Sequence, residues 1–72
     1  MYQEQLSQRV PRSDGLSFSL RYDANEPMPW SVQFKGNGHY FKTLPEAVLY
    51  LRSRKWISNA QADEIMNELR HI

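Results

Sequence analysis

Apolar and polar residues alternate along two short stretches in the first half of the chain. The apolar positions are Leu16, Phe18, Leu20 and Tyr22 in the first stretch and Trp30, Val32 and Phe34 in the second. A period of two is typical of a β-strand with one buried face. Gly36, Asn37 and Gly38 tolerate a positive φ, so we predict a tight hairpin there, leading into a third strand over residues 39–42.

The second half of the chain changes to the helical period. Thr43 with Glu46, and Ser58 with Gln61, have the spacing of a capping box at a helix start. Apolar residues follow at helical spacing: Leu44, Ala47, Val48 and Leu51, then Ala62, Ile65, Met66, Leu69 and Ile72. We therefore predict an α+β domain over residues 16–72, in which a three-stranded antiparallel meander is followed by two short amphipathic helices packed on one face.

Residues 1–15 have a different composition. Glutamine, serine and arginine dominate, Pro11 interrupts the stretch, and Ser13, Asp14 and Gly15 form a turn pattern. We predict a flexible N-terminal arm over residues 1–15, ahead of a single domain.

Composition excludes several classes of protein. The 72 residues are enough for one domain, and the absence of cysteine excludes disulfides and thiolate zinc sites. His39 and His71 lack the spacing of metal ligands. The net charge is only +1, whereas most dedicated nucleic-acid binders of this size are more basic. No apolar run approaches the ~20 residues of a membrane span. We expect a cytoplasmic protein with no membrane partner.

The sequence contains no recognisable catalytic motif. Neither histidine has a carboxylate or hydroxyl neighbour in a recognisable motif, and no glycine-rich phosphate loop is present. Glu46 belongs to a helix cap, and Asp63 and Glu64 lie where the helix dipole favours negative charge. We therefore expect no enzyme activity, no catalytic or metal-binding residues and no cofactor.

The outward face of the predicted sheet is the first candidate binding surface. The third strand adds to this face either Tyr40 and Lys42 or His39 and Phe41, depending on its register. With the first choice, the face carries Arg21, Gln33, Lys35, Tyr40 and Lys42 and no acid. Such a surface could lie in a DNA groove or on an acidic partner, although any solvated antiparallel face is polar.

A run of positive charge, Arg52, Arg54 and Lys55, is the second candidate. These residues could bind phosphate or an acidic protein surface. They could equally serve to close the first helix, because cations complement the negative end of its dipole. Met28, Trp30, Tyr40 and Trp56 are candidate contact residues, and of these four we expect Met28 and Tyr40 to be the exposed ones.

Two family resemblances follow from these residues. Residues 30–50, from Trp30-Ser31-Val32-Gln33-Phe34 through the glycine turn to the first capped helix, resemble the AP2/integrase-type DNA-binding domain. That resemblance implies a three-stranded sheet in the major groove, with Arg21, Gln33, Lys35 and Lys42 as DNA contacts. Residues 39–72 are similar in architecture to small phage anti-CRISPR proteins, which implies an inhibitor that occupies the surface of a host complex.

Three functions are therefore open. The first is a small non-enzymatic protein that acts by protein–protein contact, as an inhibitor or adaptor from a phage or mobile element, on a host or regulatory protein. The second is a DNA-binding module that uses the outward sheet face. The third is a structural subunit that dimerises through its sheet or a helix.

Overall fold

The computed structural model describes residues 5–70 as one four-stranded antiparallel sheet followed by two helices. The strands are β1 (Gln5–Pro11), β2 (Ser17–Asp23), β3 (Trp30–Phe34) and β4 (Asn37–Phe41), and the helices are α1 (Leu44–Ser53) and α2 (Asn59–Leu69). The strands lie in sequence order, so the sheet is a meander. Both helices pack on one face of this sheet, as the sequence predicted.

The sheet has four strands, so the prediction of three was wrong. The additional strand, β1, comes from residues 5–11 of the stretch that was predicted to be a flexible arm. It pairs with β2 along its whole length, from Gln5 opposite Asp23 to Pro11 opposite Ser17. Its inward positions are Leu6, Gln8 and Val10, and only Val10 is fully buried. A glutamine in the middle of the inward row conceals the apolar alternation.

The strand register decides which side of β4 faces the helices. His39 lies opposite Val32 and Phe41 lies opposite Trp30, so both lie on the helix side. Tyr40 lies opposite Ser31 on the outer face, which resolves the open choice in favour of Tyr40 outward. Lys42 lies beyond the end of β4, in the bend before α1.

The predicted β3–β4 hairpin is confirmed, with its turn one position earlier than expected. Phe34 pairs with Asn37, so the two turn residues are Lys35 and Gly36. Their φ angles are +50° and +82°. A positive φ at both positions is what a type I′ turn requires, and this turn matches the twist of the flanking strands. Lys35 therefore belongs to the turn and not to the sheet face.

Both helices begin at the predicted caps. The Thr43 hydroxyl accepts from the Glu46 N–H at 3.3 Å, and among residues 5–70 the reciprocal half of that box does not form. At Ser58 both halves form, because Gln61 also accepts from the Ser58 N–H at 3.1 Å. The Gln61 amide in addition donates to the Pro11 carbonyl at 2.9 Å, which ties α2 to the end of β1.

The core lies between the sheet and the helices. Both predicted helix stripes face it, although Met66 is only half-buried and Ile72 lies outside the described residues. Leu16, predicted to face inward, is 46% exposed because β2 begins one residue later and Leu16 remains in the turn after β1. No helix among residues 5–70 has both the length and the apolar character to cross a membrane.

An aromatic cluster joins one end of the sheet to the linker between the helices. The Trp56 ring lies 5.7 Å from the Phe18 ring, 5.1 Å from that of Phe34 and 6.0 Å from that of Tyr50, measured between centroids. The Arg12 guanidinium lies 4.3 Å from the Trp56 ring centroid and 4.4 Å from that of Phe34, and it also pairs with Asp14 at 2.8 Å. Trp56 is therefore the point at which sheet, turn and helix linker meet.

Candidate binding surfaces

The outer face of the sheet carries one row of side chains that crosses all four strands. Ser7 lies opposite Arg21, Arg21 opposite Ser31, and Ser31 opposite Tyr40. Residues directly opposite each other in an antiparallel sheet point to the same side, so these four side chains form a continuous line. The line alternates small and large groups, and neither helix covers it.

A shallow groove of about 430 Å³ follows this row. Its lining includes small polar side chains, among them Ser7 and Ser31, and Arg21 lies between these two in the row. Ser31 is only 6% exposed, because it lies between the long side chains of Arg21 and Tyr40. The groove thus combines small polar side chains with one guanidinium.

Two large apolar side chains border the groove and face solvent. Tyr40 is 56% exposed and Met28 is 38% exposed, and both line the groove. Their exposure was predicted from the sequence and is confirmed. Tyrosine and arginine are enriched among the residues that dominate protein–protein binding energy, and methionine adapts to irregular partner surfaces. The groove therefore has the residue types of a protein-contact site.

Only part of the predicted basic surface assembles on this face. Arg21, Gln33 and Tyr40 lie together in the groove, whereas Lys35 is in the hairpin turn and Lys42 borders the start of α1. The lining of the groove also includes two acids, Asp23 and Glu26, so the expectation of a face without acids was wrong. The Asp23 carboxylate accepts from the Asn25 N–H at 3.0 Å, which fixes the loop after β2.

Strand β1 contributes groove residues that the sequence analysis missed. Gln5 and Ser7 line the groove, and Arg9 adds a second guanidinium to the same face, opposite Ser19. The signal that could have located them is the placement of Leu6 and Val10 four residues apart, with Gln8 between them. Without β1, the row would end at Arg21 and the groove would lack one wall.

The remaining predicted cations gather at the opposite end of α1 from Lys42. We call this surface the basic end, and it consists of Lys35, Arg52, Arg54 and Lys55. Contacts through the aromatic cluster connect it: the Lys35 ammonium lies 5.4 Å from the Phe34 ring centroid, and the Arg54 guanidinium lies 5.1 Å from that of Tyr50. The predicted closing role is also visible, since Arg52 lies in the last turn of α1.

Histidine, aspartate and glutamate side chains do not assemble into a group of three or more that could hold a metal ion in the part of the chain that the structure describes. His39 instead stacks on Tyr50, with ring centroids 4.9 Å apart. His71 lies outside the described residues.

Comparison with protein-family models, with curated proteins and with solved structures finds no match to this chain. The resemblances to AP2-type domains and to anti-CRISPR proteins therefore stay predictions, and the functional argument rests on the surfaces just described.

Proposed function

We propose that the chain is a small, non-enzymatic binding protein that contacts a partner protein through the groove on its outer sheet face. The observation that carries the proposal is the row Ser7–Arg21–Ser31–Tyr40, which places an exposed tyrosine and an exposed arginine on either side of a small serine. A partner can pack against this row, where Tyr40 offers apolar area and Arg21 offers planar hydrogen-bond donors.

The mixed charge of the groove favours a protein partner over DNA. A DNA-binding face needs several cations in register with phosphates. This face holds Arg9 and Arg21, and the acids Asp23 and Glu26 lie along the same groove. Within the proposal, the partner is a host or regulatory protein in the cytoplasm, as for an inhibitor or adaptor from a phage or mobile element.

The test is affinity capture from a lysate of the source organism with two charge-matched double variants. The first, Arg21→Glu with Tyr40→Ala, removes both large groups of the row. The second, Lys42→Glu with Leu49→Ala, makes the same charge change and deletes an equally exposed apolar side chain on the helix side. Circular dichroism checks that both variants fold.

We expect the wild type and the helix-side variant to retain the same protein. The amount retained by the groove variant should be at least about tenfold lower, because a central contact contributes about 1.4 kcal/mol or more to binding. Equal retention by both variants would refute the proposed surface. Loss of the captured protein after nuclease treatment would point to nucleic acid instead.

A further inference from the structure

The two non-glycine residues with a positive φ among residues 5–70 are both lysines, and both belong to the basic end. Lys35 has a φ of +50° and Lys55 has a φ of +60°. Left-handed backbone is unfavourable for an L-residue with a side chain, and glycine or asparagine normally occupies such positions. The chain therefore holds lysine at two places where local backbone energetics favour other residues.

Each position is a standard motif in which the preferred residue is known. Lys35 is the first residue of the type I′ turn, where asparagine before Gly36 is favoured. Lys55 follows the C-cap of α1, where its N–H donates to the Arg52 carbonyl at 3.0 Å and the Trp56 N–H donates to the Leu51 carbonyl at 3.0 Å. That pair of bonds is a Schellman motif, whose left-handed position is usually glycine.

Each of the two lysines is the sequence neighbour of one ring of an aromatic pair. Lys35 follows Phe34 in the chain and Lys55 precedes Trp56, and the two rings are 5.1 Å apart between centroids. Arg52 and Arg54 precede Lys55, in the last turn and at the C-cap of α1. The only ion pair in the described part of the chain joins Arg12 to Asp14, so no described carboxylate neutralises the four cations of the basic end.

We infer that the basic end binds the sugar–phosphate backbone of a nucleic acid, and that Lys35 and Lys55 are kept in strained positions for this contact. Strained backbone is most often retained at functional sites. Four exposed cations on two turns and a helix end suit evenly repeated phosphates, because each ammonium or guanidinium can meet a separate charge. The exposed His39 ring beside Tyr50 adds an aromatic surface at the border, as single-strand binders use.

This surface is separate from the groove proposed for the protein partner. The groove is on the outer face of the sheet, whereas the basic end surrounds the β3–β4 turn and the end of α1. The net charge of only +1 does not oppose the inference. The acids Asp63, Glu64 and Glu68 lower the net charge of the chain, but they lie on α2 and do not belong to the basic end.

The test separates binding from folding, because the decisive variant is expected to be more stable than the wild type. Lys35→Asn with Lys55→Gly introduces the residues that the two motifs prefer, and we expect each change to raise Tm by about 4 °C. The matched control, Lys42→Asn with Arg70→Gln, removes the same charge at the other end of α1, where both side chains border one depression. The probes are fluorescein-labelled mixed-sequence 20-nucleotide single-stranded RNA, single-stranded DNA and duplex DNA.

Fluorescence anisotropy at several salt concentrations is expected to show binding by the wild type at 50 mM salt, with a slope of log affinity against log salt of about −3. The Lys35→Asn, Lys55→Gly variant should bind about tenfold more weakly, and the magnitude of its slope should be smaller by about 1.5. The affinity of the control should stay within about twofold of that of the wild type. Absence of binding at 50 mM salt, or an equal loss in both variants, would overturn the inference. Equal affinity for poly-glutamate would overturn it in favour of an acidic protein.

Discussion

Removing residues 1–11 is expected to abolish the cooperative unfolding of the domain. Deletion of β1 takes Val10 out of the core and exposes the inward side chains of β2, Phe18 and Leu20, at a new sheet edge. Burial of one valine alone contributes about 1.5–3 kcal/mol. A domain of this size has a total stability of roughly 4–11 kcal/mol, so the loss of one strand with its pairing is a large fraction of it.

Circular dichroism during heating measures this effect. The point variant Val10→Ala should lower the stability by about 2 kcal/mol, whereas Ser7→Ala on the outer face of the same strand should change it by less than about 0.5 kcal/mol. If the shortened chain unfolds cooperatively within about 2 °C of the full chain, β1 contributes nothing to the fold and residues 1–11 act as an arm.

Replacement of Trp56 by alanine is expected to lower the free energy of unfolding by about 2–3 kcal/mol, because the half-buried ring packs against the core and contacts three other aromatic rings. The ring contacts Phe18, Phe34 and Tyr50 and forms one side of the pocket around the Arg12 guanidinium. Its loss removes buried apolar area and leaves a cation, whose side chain is only 15% exposed, with Phe34 as its remaining aromatic contact. Two effects therefore act together, the lost packing and the weakened cation–π contact.

Urea unfolding of Trp56→Ala measures this cost, with Leu49→Ala as the control. Leu49 is 65% exposed on α1, so its truncation removes little buried area and should change the stability by less than about 0.5 kcal/mol. Trp56→Phe should lose less than half of the stability that Trp56→Ala loses. A loss below about 1 kcal/mol in Trp56→Ala would show that the junction is held by other contacts.

Local patterns predicted the elements whose determinants lie close together in sequence. The caps at Thr43 and Ser58 involve residues three positions apart, and their hydroxyls accept the expected N–H groups. The helix stripes and the β3–β4 hairpin are equally local. The inward face of β2 and β3 followed from a period of two, which the buried positions Phe18, Leu20, Trp30 and Val32 confirm.

The features that were predicted wrongly depend on contacts between residues far apart in the sequence. Strand β1 forms because β2 offers it a partner and Gln61 of α2 binds the Pro11 carbonyl, fifty positions away in the chain. The predicted basic face was wrong at Lys35 because the hairpin turn lies one position earlier than expected. The turn consists of Lys35 and Gly36 and not of Gly36–Gly38, so Lys35 is in the turn and not on the face. The groove could not be derived either, since one of its walls belongs to β1.

Photocrosslinking at position 40 tests the central claim, contact with a protein through the outer sheet face, most directly. A benzoylphenylalanine in place of Tyr40 keeps a large aromatic group at the border of the groove, and the same group in place of Leu49 probes an equally exposed site on the helix side. After irradiation in cells of the source organism, we expect a covalent adduct with one protein at position 40 that disappears when Arg21→Glu is added. An adduct at position 49 with none at position 40, from a folded chain, would contradict the account.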